Sequence, residues 1–176
     1  MRLWRELHGL TQNYFEIFSL PVAYTIDMNS LNQHYRLIQK SVHPDRFITG
    51  TDAEKQQSLI KSTQVNDAYQ TLKDSVKRAS YLIRLHYDKE ESGLPPEFLM
   101  QQMEWEEELE DANEEQSLQL LLGKIEADKK IIENVLVVTL DEKKDWESAL
   151  SHLSKLKFLT KLAGKIQQKT FALDVS

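Results

Sequence analysis

His43 and Asp45 are the residues of this chain whose types and spacing most readily suggest chemistry. They flank Pro44, and proline restricts its own backbone to extended or turn geometry and disfavours a helical conformation in the residue before it. The tripeptide therefore predicts a stiff corner that ends a helix and presents an imidazole and a carboxylate together. Such a pair could form a general base and the group that orients it, with Ser41 as a nucleophile.

Two kinds of reaction centre are disfavoured at this corner. Side chains two positions apart around a proline do not readily converge on one substrate, and nothing nearby resembles an oxyanion hole. A metal site needs ligands at helical spacing, but His34 and His43 do not have that spacing and no His-Glu-x-x-His motif occurs. A structural corner, in which Pro44 stops a helix and Asp45 caps the next segment, is the simplest alternative.

The composition limits the classes of protein to which the chain can belong. It has 176 residues, no cysteine and a formal net charge of −6. The missing cysteine excludes thiolate catalysis, disulfides and cysteine-ligated metal sites within the chain. The negative charge disfavours nucleic acid as a partner, because phosphate binding needs a basic face. No apolar run approaches the roughly 20 residues that span a bilayer, and residues 1–10 do not resemble a secretory signal, so we expect a cytoplasmic protein.

Helices are predicted on both sides of the corner. A short helix is expected over 13–20, a second one up to about 42, a long third one up to about 73, and a shorter fourth one up to about 85. Leu59 and Leu72 are expected to face the core from the third helix. The residues expected to cap helices are Asp27 or Ser30 for the second, Thr51 or Asp52 for the third and Ser75 for the fourth.

The second half of the chain predicts three more helices, over about 96–112, 114–139 and 142–170. A polar stretch stiffened by Pro95 and Pro96 separates them from the first half and is typical of a linker. Residues 131–140 are rich in β-branched side chains, which could indicate a strand. We predict a helix instead, because the 3.6-residue apolar stripe continues through them and no second strand exists to pair with.

The residues around the corner resemble a J-domain. A basic helix with Tyr35 ends in His-Pro-Asp, the next long helix carries Asn66-Asp67-Ala68-Tyr69, and an aromatic-rich helix opens the segment at Tyr14. The resemblance implies an antiparallel helical hairpin that docks on a DnaK-class ATPase chaperone and stimulates its ATP hydrolysis. The chaperone-binding residues that it implies are Tyr35, Arg36, Lys40, His43, Pro44, Asp45 and Arg46.

A second distinctive stretch is the acidic helix within 97–115, which contains no lysine or arginine. At 100° per residue, Phe98, Trp105 and Leu109 share one core-facing stripe. Exposed apolar groups that include methionine are typical of an adaptable binding surface, although a solvated helix packed on a neighbour gives the same pattern. The side chains predicted to lie off the stripe are Leu99, Met100, Met103, Glu104, Glu107 and Asp111.

From Asn13 onward the chain resembles the HscB family of J-type co-chaperones, which serve iron–sulfur cluster biogenesis. The matching segments include Phe98-Leu99-Met100, 155–162 and, between the halves, 78–82. The resemblance implies that the C-terminal bundle binds the cluster scaffold protein IscU and that the J-domain brings it to the chaperone HscA. The scaffold-binding residues that it implies are Leu99, Met100, Met103, Glu104, Glu107, Asp111 and Phe158.

We therefore expect an all-α, L-shaped protein with a J-domain and a three-helix bundle. Its expected parts are an N-terminal extension (1–12), a J-domain with a junction helix (13–88), a linker (89–96) and a client-binding bundle (97–176). We expect a bacterial, cytoplasmic co-chaperone that is not an enzyme, has no cofactor or metal, and contacts neither nucleic acid nor membrane. Two alternatives are a J-domain co-chaperone for a different client, and a metal-dependent bundle enzyme using carboxylates of 104–115, which lacks a Glu-x-x-His pair.

Overall fold

The computed structural model describes residues 12–43, 45, 50–89 and 94–174. Every regular element in these ranges is helical, which confirms the predicted all-α class. The chain divides into two compact units, Met1–His86 and Tyr87–Ser176. None of the helices described is long and apolar enough to cross a membrane. Pro44 and residues 46–49, which belong to the predicted corner, and 90–93, which belong to the predicted linker, lie outside the described residues.

The described part of the first unit contains four helices: α1 (Tyr14–Ile17), α2 (Met28–Val42), α3 (Asp52–Lys73) and α4 (Ser75–His86). Helix α1 is shorter than predicted because its end closes early. The amide of Leu20 donates to the Phe15 carbonyl at 2.9 Å, and Ser19 has a positive φ of 52°. This arrangement satisfies the last carbonyls of a helix and prevents its continuation before Pro21 is reached.

Side-chain caps fix where the helices of this unit begin. Asp27 accepts from the amide of Asn29 at 2.9 Å at the start of α2. Thr51 and Glu54 form a reciprocal capping box at the start of α3. At α4 the prediction was wrong: Asp74, rather than Ser75, accepts from the Lys77 amide at 2.8 Å. The helix begins at Ser75, so position 74 is the N-cap, and aspartate is among the residues preferred there.

The core of the first unit joins α1 to α4. Phe15, Leu72 and Tyr81 are almost fully buried. The Tyr81 hydroxyl accepts from the amide of Tyr14 at 2.9 Å, and the two rings stack with centroids 4.4 Å apart. Leu59 was expected in this core but is 58% exposed, because Ser58 continues the buried stripe of Val65 and Leu59 lies about 100° round the helix from it.

The described part of the second unit contains α5 (Pro96–Asp111), α6 (Glu115–Val137) and α7 (Trp146–Asp174). Residues 131–137 are helical as predicted, and one π-helical turn (Val138–Glu142) follows them. Helix α7 begins later than predicted because Lys144 has a positive φ of 54° and Asp145 then caps the helix through the Ser148 amide. The fully buried side chains of the core include Leu118, Leu121, Ile125, Leu159 and Ile166.

Candidate functional site

The corner after α2 exposes the side chains of His43 and Asp45. Helix α2 ends at Val42, and His43 has extended backbone angles (φ −63°, ψ 132°), as a residue before proline should. The amide of Asp45 donates to Nδ1 of His43 at 3.3 Å. The Asp45 carboxylate lies 3.5 Å from the same nitrogen and is 79% exposed, while His43 is 54% exposed. The carboxylate therefore faces solvent, where a partner can reach it.

Ser41 does not join this pair in a nucleophilic arrangement. Its hydroxyl donates to the Ile38 carbonyl of its own helix at 2.7 Å. Local bonding of this kind is usual for serine in a last helical turn. Since His43 accepts from the backbone and Ser41 is engaged elsewhere, the geometry suits display of a charge better than activation of a hydroxyl.

Tyr35 couples α2 to α3 by its ring and its hydroxyl. The ring stacks on Tyr69 with centroids 3.9 Å apart, and the hydroxyl donates to Asn66 Oδ1 at 3.3 Å. The Tyr69 hydroxyl donates to Asn32 Oδ1 at 2.8 Å. Tyr35 is thus half-buried and orients the exposed face of α2.

Arg36 and Lys40 lie on the exposed side of α2. They stand one helical turn apart, so their charges share a face. The structure thus brings two predicted cationic residues to one face of the helix that ends in the corner. Pro44 and Arg46, also predicted at this site, lie outside the described residues.

Ser58 supports the corner from α3 and was missed from the sequence. It is only 3% exposed, and its hydroxyl donates to the Val42 carbonyl at 2.6 Å across the hairpin. The last carbonyls of a helix lack partners within the helix, so this bond anchors the end of α2. The signal in the sequence was weak, because a single serine at a helix position is common.

The client-facing surface predicted on α5 is exposed as helical geometry indicated. Leu99, Met100 and Met103 are 45%, 69% and 66% exposed, whereas Trp105 is 8% exposed. Large apolar side chains are seldom grouped at such exposure unless they serve contact with another molecule. We call Leu99, Met100 and Met103, with the carboxylates of Glu104, Glu107 and Asp111, the α5 face.

Lysines from α6 and α7 neutralise only one flank of the acidic helix. Lys124 pairs with Glu108 at 2.5 Å, and Lys165 lies 3.5 Å from Glu106. The ammonium of Lys169 donates to the carbonyl of Leu109 at 2.7 Å, and to that of the next residue at 3.0 Å. A cation at the C-terminal carbonyls also complements the helix dipole.

The carboxylates of the α5 face remain directed to an open groove. Glu104, Glu107 and Asp111 line it together with Ser117 from the start of α6. Glu104 also accepts from the Gln101 amide group at 2.8 Å. Among the residues described, no ion pair joins a lysine or arginine to these three carboxylates. The groove therefore presents negative charge beside an apolar cluster.

Phe158 lies behind the α5 face rather than on it. It is half-buried, meets Phe98 edge-on with centroids 5.7 Å apart and stacks on Trp105 with centroids 6.3 Å apart. These aromatic contacts join α5 to α7. Its exposed fraction leaves an edge that can contact a partner, while most of the ring holds α5 in place.

Within the described ranges, no group of three or more histidine, aspartate or glutamate residues could hold a metal ion. The acidic residues of α5 spread around the helix and partly engage lysines, instead of converging on one point. A cation needs several oxygen ligands directed at one centre. The arrangement in these ranges gives no support to the metal-dependent enzyme considered from the sequence.

Two protein-family models match this chain, one within each of its two units. Residues 13–81 match the DnaJ domain family, and residues 94–167 match the HSCB C-terminal oligomerisation domain family. The Co-chaperone protein HscB homolog of Paraburkholderia phymatum is 35% identical over 173 residues, covering 94% of this chain and 98% of the relative.

Two solved structures are also similar over most of their lengths. Chaperone HscB from Vibrio cholerae has a TM-score of 0.85 at 36% identity, with 92% of this chain and 99% of that chain covered. Human co-chaperone protein HscB has a TM-score of 0.88 at 30% identity, with 93% and 84% covered. Since both units match and a bacterial relative aligns over nearly its full length, the chain belongs to the HscB family of co-chaperones.

Proposed function

We propose that this co-chaperone binds the scaffold protein IscU with its second unit, delivers it to the DnaK-class chaperone HscA and stimulates that chaperone's ATPase with its first unit. The chain itself carries out no chemistry. One observation carries the proposal: an exposed acidic corner on one unit and an exposed apolar and acidic face on the other occur in one chain. Holding both partners on one scaffold raises the effective concentration of client at the chaperone.

The chaperone end is proposed to act through the corner and the exposed side of α2. Asp45 offers a carboxylate for an arginine of the chaperone, and charge-assisted bonds of this kind are among the strongest in proteins. Arg36 and Lys40 extend the contact to an acidic surface, while Tyr35 holds their helix against α3. The proposed chaperone-binding residues are Tyr35, Arg36, Lys40, His43, Pro44, Asp45 and Arg46.

The client end is proposed to act through the α5 face and the exposed edge of Phe158. Leu99, Met100 and Met103 supply apolar contact area, and the methionines can adapt their shape to the client. The carboxylates around the groove attract a basic surface and disfavour acidic proteins. The proposed scaffold-binding residues are Leu99, Met100, Met103, Glu104, Glu107, Asp111 and Phe158.

This function also assigns roles to the parts of the chain. We propose a J-domain with its junction helix over 13–88, a linker over 89–96 and a client-binding bundle over 97–176, preceded by an extension of unassigned role over 1–12. We further propose that the protein is bacterial and cytoplasmic. Two of the similar proteins come from the bacteria Paraburkholderia phymatum and Vibrio cholerae.

The substitution Asp45→Asn tests the chaperone end. It removes the charge but keeps the shape of a side chain that is 79% exposed, so the fold should be unaffected. Loss of one partner of a desolvated charge pair costs about 2–5 kcal/mol, so stimulation of HscA ATP turnover should fall at least tenfold. Steady-state phosphate release with and without the co-chaperone measures the effect.

The matched control for this substitution is Asp67→Asn, which makes the same isosteric change at an exposed position on α3. It should retain stimulation, and circular dichroism should be the same for both variants and the unsubstituted protein. Full stimulation by Asp45→Asn would contradict docking through the corner.

The substitution Met100→Ala tests the client end. Truncating a well-placed apolar side chain in an interface costs about 1–2 kcal/mol, so the dissociation constant for IscU should rise roughly tenfold. Titration calorimetry measures it. The control is Leu120→Ala, which shortens a 64% exposed leucine on α6, outside the α5 face.

Delivery of a different client is the second candidate function. Several carboxylates line the groove, and negative charge of this kind can attract more than one basic protein. The same titration separates the two. If IscU does not bind the unsubstituted protein while HscA stimulation persists, the chain is a J-domain co-chaperone for another basic client.

A further inference from the structure

The sulfur chemistry of this chain is concentrated on the α5 face. The sequence contains four methionines and no cysteine, so thioethers are its only sulfur groups. Methionine is among the residues most often fully buried in proteins. Met100 and Met103 are nevertheless 69% and 66% exposed, and they lie three positions apart on one side of α5, where side chains are neighbours.

Met28 provides the contrast within the same chain. It is only half-exposed at the start of α2, and its sulfur contacts the Arg78 guanidinium, with Nη1 4.0 Å away. Met28 is therefore less accessible to an oxidant than a methionine on an open helix face. The described methionines divide into a partly buried one on the first unit and an exposed pair on the second.

We propose that Met100 and Met103 form an oxidation-sensitive modification site, at which conversion to methionine sulfoxide releases the client. This inference rests on the proposed client binding by the α5 face. The oxidant is a hydroperoxide. The thioether sulfur gives two electrons to one peroxide oxygen, an S–O bond forms and the O–O bond breaks. The proton of the transferred oxygen passes to the leaving group, which departs as water from hydrogen peroxide or as an alcohol from an alkyl hydroperoxide.

The modification changes the surface in the direction that opposes binding. A sulfoxide is polar and accepts hydrogen bonds, whereas the thioether is apolar and flexible. Burying this oxygen against the apolar part of the client surface, without a hydrogen-bond donor for it, costs enough to weaken binding about tenfold for each side chain. A methionine sulfoxide reductase reverses the change with two electrons from a thiol pair, which becomes a disulfide while the oxygen leaves as water.

The site couples delivery to the oxidative state of the cell without altering the chaperone end. The corner at Asp45 contains no sulfur, and Met28, the methionine of α2, stands at the opposite end of that helix from the corner. Oxidation of the α5 face therefore removes the client while direct stimulation of the ATPase continues. A client already bound covers the two methionines and protects them.

The test treats the full chain with hydrogen peroxide and maps oxidation by peptide mass spectrometry while IscU binding is titrated. We expect Met100 and Met103 to convert before Met28, and the dissociation constant for IscU to rise at least tenfold. Client-free stimulation of HscA should be unchanged. Incubation with reductases for both sulfoxide epimers and dithiothreitol should restore binding, and prior addition of IscU should slow the conversion.

The double variant Met100→Leu/Met103→Leu provides the matched control, and each protein is compared with its own untreated state. The ratio of treated to untreated dissociation constant should be near one in the variant and at least tenfold in the unsubstituted chain. Equal losses in both, faster oxidation of Met28, or full conversion of the pair without loss of IscU binding would each overturn the proposal. Absence of IscU binding before treatment would instead refute the proposed client.

Discussion

Ser58 stands at the point where the two sides of the J-domain hairpin approach the corner. The carbonyl of Val42 has no partner within α2, and the Ser58 hydroxyl supplies one at 2.6 Å. Val42 stands three positions before Asp45, whose carboxylate is exposed. The buried hydroxyl therefore fixes the end of α2, from which the chain enters the corner that is proposed to dock on the chaperone.

We expect Ser58→Ala to loosen the corner without removing any charge. Loss of a hydrogen bond to a partly buried carbonyl costs about 1 kcal/mol, so urea unfolding should report that decrease. Stimulation of HscA should fall several-fold, between the unsubstituted protein and Asp45→Asn. The matched control is Ser41→Ala, because Ser41 is exposed and its hydroxyl donates to a carbonyl of its own helix. Equal stimulation by both serine variants would exclude a positioning role for Ser58.

At the scale of elements, two capping carboxylates link the stability of the first unit to pH. Hydrogen bonds from the Ser30 hydroxyl and the Asn29 amide lower the pKa of Asp27 below its ordinary value. The backbone amide and then the hydroxyl of Thr51 lower the pKa of Glu54 in the same way. Each carboxyl group therefore binds fewer protons in the folded state than in the unfolded state. The free energy of unfolding thus rises with pH over the range in which these groups ionise.

We therefore expect the caps to stabilise α2 and α3 at neutral pH and to lose that effect as the solution is acidified below about pH 4. Thermal unfolding followed by circular dichroism at pH 7 and pH 3.5 measures it. The double variant Asp27→Asn/Glu54→Gln should show a smaller difference between the two pH values than the unsubstituted protein. If the two proteins showed the same change in unfolding temperature between pH 7 and pH 3.5, the pH dependence would not come from these two carboxylates.

The same elements indicate how far sequence patterns determine this fold. Periodicity located six long helices and the exposure of Met100 and Met103, because burial follows directly from the angle around a helix. Leu59 was misplaced because its apolar type was given more weight than its angle, about 100° from the stripe that Ser58 and Val65 share. Periodicity also missed Lys169 and Ser58, whose contacts join positions 16 or more residues apart and cannot be read from local spacing.

At the scale of the whole molecule, the proposed function requires both ends on one chain. A mixture of full-length Asp45→Asn and full-length Met100→Ala offers every side chain, but no single molecule has both ends intact. At micromolar concentrations we expect no recovery of IscU-dependent stimulation, because the tether supplies an effective concentration near the millimolar range. With IscU present, ATP turnover of the mixture should equal that of Met100→Ala alone at the same concentration, because this variant keeps its chaperone end. Recovery to the unsubstituted level would contradict delivery by tethering.

The ammonium of Lys169 fastens the last turn of α5 to the end of α7, through the carbonyls of Leu109 and Glu110. The α5 face, which is proposed to bind the client, is thus held in place by one of the last turns of α7. Fusions or deletions made near the end of α7 would disturb a surface some 60 positions upstream, so an affinity handle for this protein is best kept away from that helix end.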